Sequence, residues 1–372
     1  MPSPAIMAAP SVGRSNDAPV AVVPFIRASN QHREPAGIDV TRALTTSDQD
    51  LGVFDIPAYG YLRAISIVVT ASGGAGAATG RADAPFTAIK NISFTEPNGA
   101  TIEQFNSGYD LYLAHKWGGY GGYSDPRGLP SYSNGTNTPG GSFKFHLRIP
   151  IELSERDGLG SLPNQNAAAT FKLRMSLAKL SEIYSSAPAT TAPNVRVEVF
   201  IECWDQPESS VGGRTNQIMP PALNTTQFWS SQIFNVNTGN QTVRLTRVGN
   251  YVRNLVFVYR NASGVRVDDL PALTTLYLDT RPLDIFSKDL IKDQMVERSG
   301  RNAAEGVKDG IDTGVYLYDF AHEFDGRLGR ENRDLWLPTL GSTRLELQGQ
   351  FPTAGTLTVL TNDVAVAGDA FM

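Results

Sequence analysis

Four histidines, His32, His115, His146 and His322, and a lone cysteine, Cys203, are the residues of this chain best suited to metal binding or nucleophilic attack. A zinc site needs Cys and His at short, fixed spacings, and a cysteine nucleophile needs a base beside it. Neither pattern is present. No two histidines stand at ligand spacing, and His322-Glu323 lacks the second His of an HExxH helix. Cys203 follows the apolar run "VRVEVFIE" and reads as a packed small hydrophobe. Acid pairs of the kind glycosidases use occur at Asp268-Asp269 and Glu152/Glu155, but in turn-like or solvated contexts. Glu305, Asp309 and Asp312 carry the right oxygens for calcium without the ligand spacing of a dedicated loop. "GGAGAATG" at Gly73–Gly80 lacks the G-x-G-x-x-G spacing and is followed by "RADAPF" rather than a helix. The expectation is a chain with no catalytic, cofactor-binding or metal-binding residue, and therefore not an enzyme.

Aromatic contact is the remaining chemistry. Trp117, Tyr120, Tyr123 and Tyr132 lie in or beside the Gly-rich stretch Gly118–Ser142, and rings on glycine hinges suit protein contacts or sugar stacking. They are expected to be outer-loop contacts. A secreted carbohydrate-binding double β-sandwich is the alternative reading that they support. Against it, the N-terminus shows no charged segment followed by an apolar one. Sequons such as Asn134-Gly-Thr136 and Asn261-Ala-Ser263 are near chance frequency for this composition.

The elements that position these residues are mostly strands. The 372 residues include 35 Gly and 23 Pro, with only 19% charged side chains and a net charge of −5. That balance fits many short strands and turns, and it lacks the basic stripe of a nucleic-acid coat, so no sequence-specific nucleic-acid binding is expected. "YLRAISIVVT" at Tyr61–Thr70 is rich in β-branched residues. Phe143, Phe145, Leu147, Ile149, Ile151 and Leu153 alternate with mostly polar residues, as in a half-buried strand. Two helices are expected, Asn106–Trp117 capped by Asn106 or Ser107, and Leu283–Ser299 with Ile285, Leu290, Ile291 and Met295 along one face. Residues 1–35 read as an extended arm, with Val20 and Phe25 in an apolar patch flanked by Arg14 and Arg27. Residues 207–221 read as a linker.

The chain also repeats itself. "YLRAISIVV" at Tyr61–Val69 aligns with "YVRNLVFVY" at Tyr251–Tyr259, with Tyr and Arg coinciding. A short strand, a helix and an alternating strand follow in each half. Next come the pairs Leu162-Pro163 and Leu337-Pro338, and each half closes on a β-rich run. The same elements in the same order imply duplication. The expected fold is all-β: two tandem eight-stranded antiparallel jelly-roll sandwiches, residues 36–206 and 222–372, with short helices in loops. The Leu-Pro pairs and Gly158 should form structural corners, since Gly permits left-handed angles and Pro fixes φ before the next strand.

The segment "IPIELSERDGLGSLPNQNAAATFKLRMSL" is similar to double jelly-roll major capsid proteins, in which a Pro-containing strand end leads through Arg or Asn, Gly-Leu and Leu-Pro into the next strand. Here these are Pro150, Arg156, Gly158-Leu159, Leu162-Pro163 and Thr170–Leu177. Architectural likeness covers about residues 50–372, and sharp likeness only this segment. "NQNAAAT" and the compact length resemble the tectivirus-like branch of tailless, membrane-containing icosahedral bacteriophages. The resemblance implies a homotrimer of pseudo-hexagonal outline, made in the host cytoplasm and tiled into a virion shell over an internal membrane. Neighbouring capsomers, minor capsid and vertex proteins would be its partners, and the arm would contact the membrane at the inner face.

Overall fold

The computed structural model describes residues 22–118, 125–135, 138–299, 310–320 and 335–366. The first half supplies β1 (Gln31–Ala43), β2 (Gln49–Asp55), β3 (Tyr61–Ser72), β4 (Ile89–Thr95), β5 (Thr101–Ser107), α1 (Gly108–Trp117), β6 (Phe143–Pro150), β7 (Lys172–Leu177) and β8 (Asn194–Trp204). The second supplies β9 (Thr226–Val236), β10 (Gly239–Leu245), β11 (Tyr251–Asn261), β12 (Leu273–Leu278), β13 (Arg281–Ser287), α2 (Lys288–Ser299), β14 (Val315–Asp319), β15 (Leu345–Phe351) and β16 (Gly355–Ala365).

Each half is a jelly roll of two four-stranded layers. In the first, β1-β8-β3-β6 faces β2-β7-β4-β5; in the second, β9-β16-β11-β14 faces β10-β15-β12-β13. The strand order is the same in both. Alternation sets the faces. Phe143, Phe145, Leu147 and Ile149 of β6 are fully buried, while Lys144 between them is exposed. In the second half, Phe257 of β11 stacks on Phe286 of β13 across the core, with ring centroids 6.4 Å apart.

The aligned motif Tyr-x-Arg has a structural cause. β3 is bulged against β8, so that Leu62 opposes Cys203, Ala64 opposes Glu202, and Arg63 is the extra residue. β11 is bulged against β16 in the same way, and Arg253 is the extra residue between Val252 and Asn254. Both arginines are buried. The Leu-Pro pairs also match. Leu162–Pro163 pairs antiparallel with Leu62 and Tyr61, and Leu337–Pro338 with Val252 and Tyr251.

Several expectations are corrected. β1 begins at Gln31, inside the expected arm, and takes up Pro35 at a bulge that ends at Ile38. The expected linker holds a small hairpin, Ser210–Val211 against Arg214–Thr215, and Val23 forms a parallel bridge with Asn216 beside it. Ser107 caps α1, its hydroxyl accepting the Asp110 N–H. The second helix starts five residues later than expected, because Leu283–Ser287 completes β13; Ser287 Oγ then accepts the Leu290 N–H as its cap. Only Ile291 and Met295 of its expected apolar face are buried, and Ile285 and Leu290 are exposed. The two Gly-rich loops meet at one end of the first sandwich, where Gly140 N–H donates to Gly76 O.

Phe25 also departs from its expected role. It sits in a helical turn, Phe25–Ala28, with its ring edge-on to Tyr61 at 5.3 Å and to Trp204 at 6.2 Å. Gly158 closes the same pocket at φ +82°, and a Cβ there would come within 2.9 Å of the Phe25 ring. Phe25 therefore plugs its own chain rather than facing a membrane, while Arg27 is exposed. Truncating a fully buried Phe leaves a cavity. Phe25→Ala should lower stability by about 3–5 kcal/mol and speed proteolysis at residues 22–30, measured by thermal melts and limited digestion; unchanged melting would show that the plug carries no weight.

Candidate assembly site at the junction of the two sandwiches

The two halves share a sheet. β5, the edge of the first sandwich, lies parallel to β9, the edge of the second, with Glu103 opposite Trp229 and Gln104 opposite Ser230. One layer of each jelly roll thus merges into a single sheet. α1 is laid across the seam, with every one of its ten residues buried. On its second-half side, Ser231 donates to Asp110 at 2.8 Å, Asn106 donates to Ser231 Oγ at 2.9 Å, and Arg253 donates to Gly118 O at 2.7 Å.

An ionic cluster locks the same junction. Lys116, Asp125 and Arg127 come from the first half and Asp312 from the second. Lys116 Nζ lies 3.3 Å from Asp125 and 3.8 Å from Asp312; Arg127 lies 3.0 Å and 2.9 Å from the same two carboxylates. Tyr109 donates to Asp312 at 2.8 Å and Tyr112 to Asp125 at 3.2 Å. Lys116 also donates to Gly310 O. Two cations face two anions, so the cluster is neutral. Burial pushes Asp312 and Asp125 up, but Lys116 and Arg127 more than offset it, and both carboxyls stay below their ordinary range. Alongside, Asp83 of the first half holds Arg260 and Arg266 of the second, each at 2.5 Å.

The corner end of the molecule is joined as well. Gln227 of β9 donates its amide to the carbonyls of Pro150, Ile151 and Glu152 at 3.1–3.3 Å. Leu153 and Leu159 of the first half pack with Trp336 and Val364 of the second. Beneath them, Glu152 accepts from Arg63 at 2.8 Å and from Trp204 at 2.6 Å.

The reactive-looking residues sit in the following surroundings. Glu152 is buried in its pair with Arg63, while Glu155 is exposed on the other side of that arginine. Asp268 accepts from Gly314 N–H and pairs with Lys292 at 3.0 Å. Cys203 is buried, and burial pushes its thiol up to about 12. Among the described residues, no three His, Cys, Asp or Glu side chains gather around a metal-sized site. The aromatic expectation is corrected too. Trp117 ends α1 and is buried, so it is not an outer-surface ring; half-buried Tyr132 stacks on Phe86 at 5.9 Å. Tyr120, Tyr123, Arg14, Val20, His322, Glu305 and Asp309 lie outside the described residues. The ionic cluster escaped the sequence reading because Asp312 is nearly two hundred positions from Lys116 and Asp125; the one available signal was Asp125-Pro126-Arg127, an opposite-charge pair in a turn.

Glu103 is the costly residue of the seam. It is 1% exposed, and neither carboxyl oxygen has a hydrogen-bond partner. Burial holds its carboxyl well above the usual range, and the more distant charge of Arg148 only partly offsets this. The fold therefore keeps Glu103 protonated. Below the ordinary carboxylate value both states are neutral and nothing is lost. As pH rises through that value the unfolded chain ionises first, and the fold loses stability up to the raised folded value. Glu103→Met should therefore melt increasingly above the wild type as pH goes from about 4 to 8; a difference independent of pH would refute this.

No protein-family model matches the chain, and no curated protein does. Solved structures do. The major capsid protein of Sulfolobus Turreted Icosahedral Virus (STIV) superposes with a TM-score of 0.62 at 13% identity, covering 91% of this chain and 97% of that one. The major capsid protein P2 of bacteriophage PM2 gives 0.52 at 11% identity, over 92% and 99%. The PBCV-1 virus capsid gives 0.54 at 12% identity, over 91% and 94%. The likeness spans an archaeal virus, a bacteriophage and an algal virus, so it does not single out the bacteriophage branch. Through both sandwiches and the seam between them, the chain has the fold of double jelly-roll major capsid proteins.

Proposed function

We propose that this chain is the major structural subunit of an icosahedral virus shell, working as a homotrimer of pseudo-hexagonal outline. The observation that carries the reading is the locked side-by-side pair of sandwiches of identical strand order. Two near-equal lobes at a fixed angle, repeated three times, give six near-equal edges, and a closed ring is the usual end point of such self-association. The fold likeness to viral coat proteins over nine-tenths of the chain supports the same role. The buried polar groups described above are spent on holding the lobes together, which suits a building block rather than a catalyst. Burial of Trp117 removes one of the rings on which the carbohydrate-binding reading rests.

In this reading the capsomers meet neighbouring capsomers and minor and vertex proteins in the virion, after synthesis in the host cytoplasm. The arm, with Arg14 and Val20, would serve the inner face of the shell against the membrane. What supports this is the apolar patch beside Arg14 and Arg27 in the sequence; the described chain enters at the corner end of the first sandwich, where Val23 is bridged to Asn216.

Two outcomes check the proposal. Light scattering of the full chain at micromolar concentration should give three times the 40.2 kDa chain mass; a monomer there would refute the trimer. Deleting residues 1–21 should leave trimers intact and impair shell formation seen by electron microscopy, and normal shells would refute the role of the arm.

A further inference from the structure

The two halves share a strand order but not a degree of cover. In the first, the β5 edge is closed by β9 and α1 is wholly buried. In the second, β13 is the last strand of its sheet, and among the described residues no strand closes it. Ile285 on β13 is 62% exposed and Leu290 on α2 is 50% exposed. Asp289, Asp293 and Glu297 are exposed on α2 at four-residue spacing, a carboxylate stripe along one face. The elements that make the internal junction in the first half thus lie open in the second.

The complementary surface is open in the opposite half. The matching bulges at Arg63 and Arg253 fix the correspondence. Just past them, Glu202 stands where Asn362 does, so their partners Arg33 on β1 and Trp229 on β9 are equivalent. By the same register, Ser66, Val68 and Phe200 correspond to Val256, Val258 and Leu360. In the second half these three are fully buried. In the first half Val68 and Phe200 are only half-buried. They floor a groove of about 410 Å³ bordered by Arg33, Lys144 and His146. The internal face is apolar and closed, whereas its counterpart is partly polar and rimmed by cations.

We infer that α2 and the β13 edge of one copy dock on the β1 edge and the Val68–Phe200 groove of the next, repeating between chains the junction that β5 and α1 make within the chain. The occupant is a second copy of this chain. The seat is basic at Arg33 and Lys144; the incoming helix is acidic at Asp289, Asp293 and Glu297. Ile285 and Leu290 supply the apolar contact. β1 would meet β13 in parallel at Arg33 and Glu34, the counterparts of Trp229 and Ser230. The contact is head-to-tail, with different surfaces on the two partners, so copies add until a ring closes. Its mixed polarity suits a surface that is wet before assembly, unlike the closed internal junction.

This assignment rests on the trimer reading, and a mixing experiment separates the two. Ile285→Glu/Leu290→Glu breaks the donor face and leaves the seat intact. Arg33→Glu/Lys144→Glu breaks the seat and leaves the donor face intact. Each variant should run as a monomer at a concentration where the wild type is a trimer. An equimolar mixture should give a species of two chains, because one good donor face and one good seat remain. Melting curves confirm folding, and Asp289→Lys/Asp293→Lys replaces the donor variant if that variant melts early. Trimers from both variants, or monomers that never pair on mixing, would overturn the surface assignment while leaving the trimer standing. A monomeric wild type would instead remove the trimer reading itself.

Discussion

The parallel pairing of β5 with β9 is the constraint on which the rest of the molecule depends. Two jelly rolls joined only by the segment 205–225 would be free to rock, as domains with small polar contacts do. Hydrogen-bonding one edge strand to the other removes that freedom and disposes of two exposed edges at once. It also dictates what lies above and below the seam. α1 is buried on all sides, so its polar groups need partners, and Tyr109, Asp110, Tyr112 and Lys116 each find one across or beside the junction. The ionic cluster follows from placing a lysine on a helix that the second sandwich covers.

Buried ion pairs are poor devices for stability, because desolvation offsets most of the attraction. Their geometry is demanding, however. Lys116 and Arg127 each reach both Asp125 and Asp312, and small rotations of one sandwich against the other would separate them. Asp83 adds a further clamp on Arg260 and Arg266. An apolar junction could slide; this one has a single satisfied arrangement. Such a junction favours a fixed angle between the lobes over a few kcal/mol of stability. The buried, unpartnered Glu103 in the same seam fits that ordering of priorities.

Much of the fold was legible in the sequence because it is periodic and duplicated. Alternation exposed β6, and Tyr-x-Arg marked the equivalent bulges of β3 and β11. What was missed has local physical causes. β13 was read as the start of a helix because Ile285 was placed on one helical face with Leu290, Ile291 and Met295, and only tertiary pairing with β12 decides between the two. The expected arm ended at residue 35, yet β1 already runs from Gln31 and accommodates Pro35 at a bulge of an edge strand. Trp117 and Tyr132 were placed outside because glycines surround them; their burial depends on β3, β6 and the second sandwich, which no local pattern reports. The ionic cluster joins residues nearly two hundred positions apart and leaves no spacing signature.

Duplication also explains why equivalent residues have diverged. Arg63 and Arg253 fill the same bulge, but Arg63 pairs with Glu152 and lies over Trp204, whereas Arg253 donates to Gly118 O and to Asn362. Arg63 is thus tied to the pocket that Phe25 plugs, and Arg253 to the junction with the other sandwich. The same division runs along the whole outer face of each β1-like layer. Val256, Val258 and Leu360 are fully buried within their own chain, so nothing requires them to be compatible with water. Ser66 and Phe200 occupy the same positions beside charged neighbours in the half that no second sandwich covers. Two copies of one architecture thus differ in polarity at matching positions, according to how deeply each is covered within the chain.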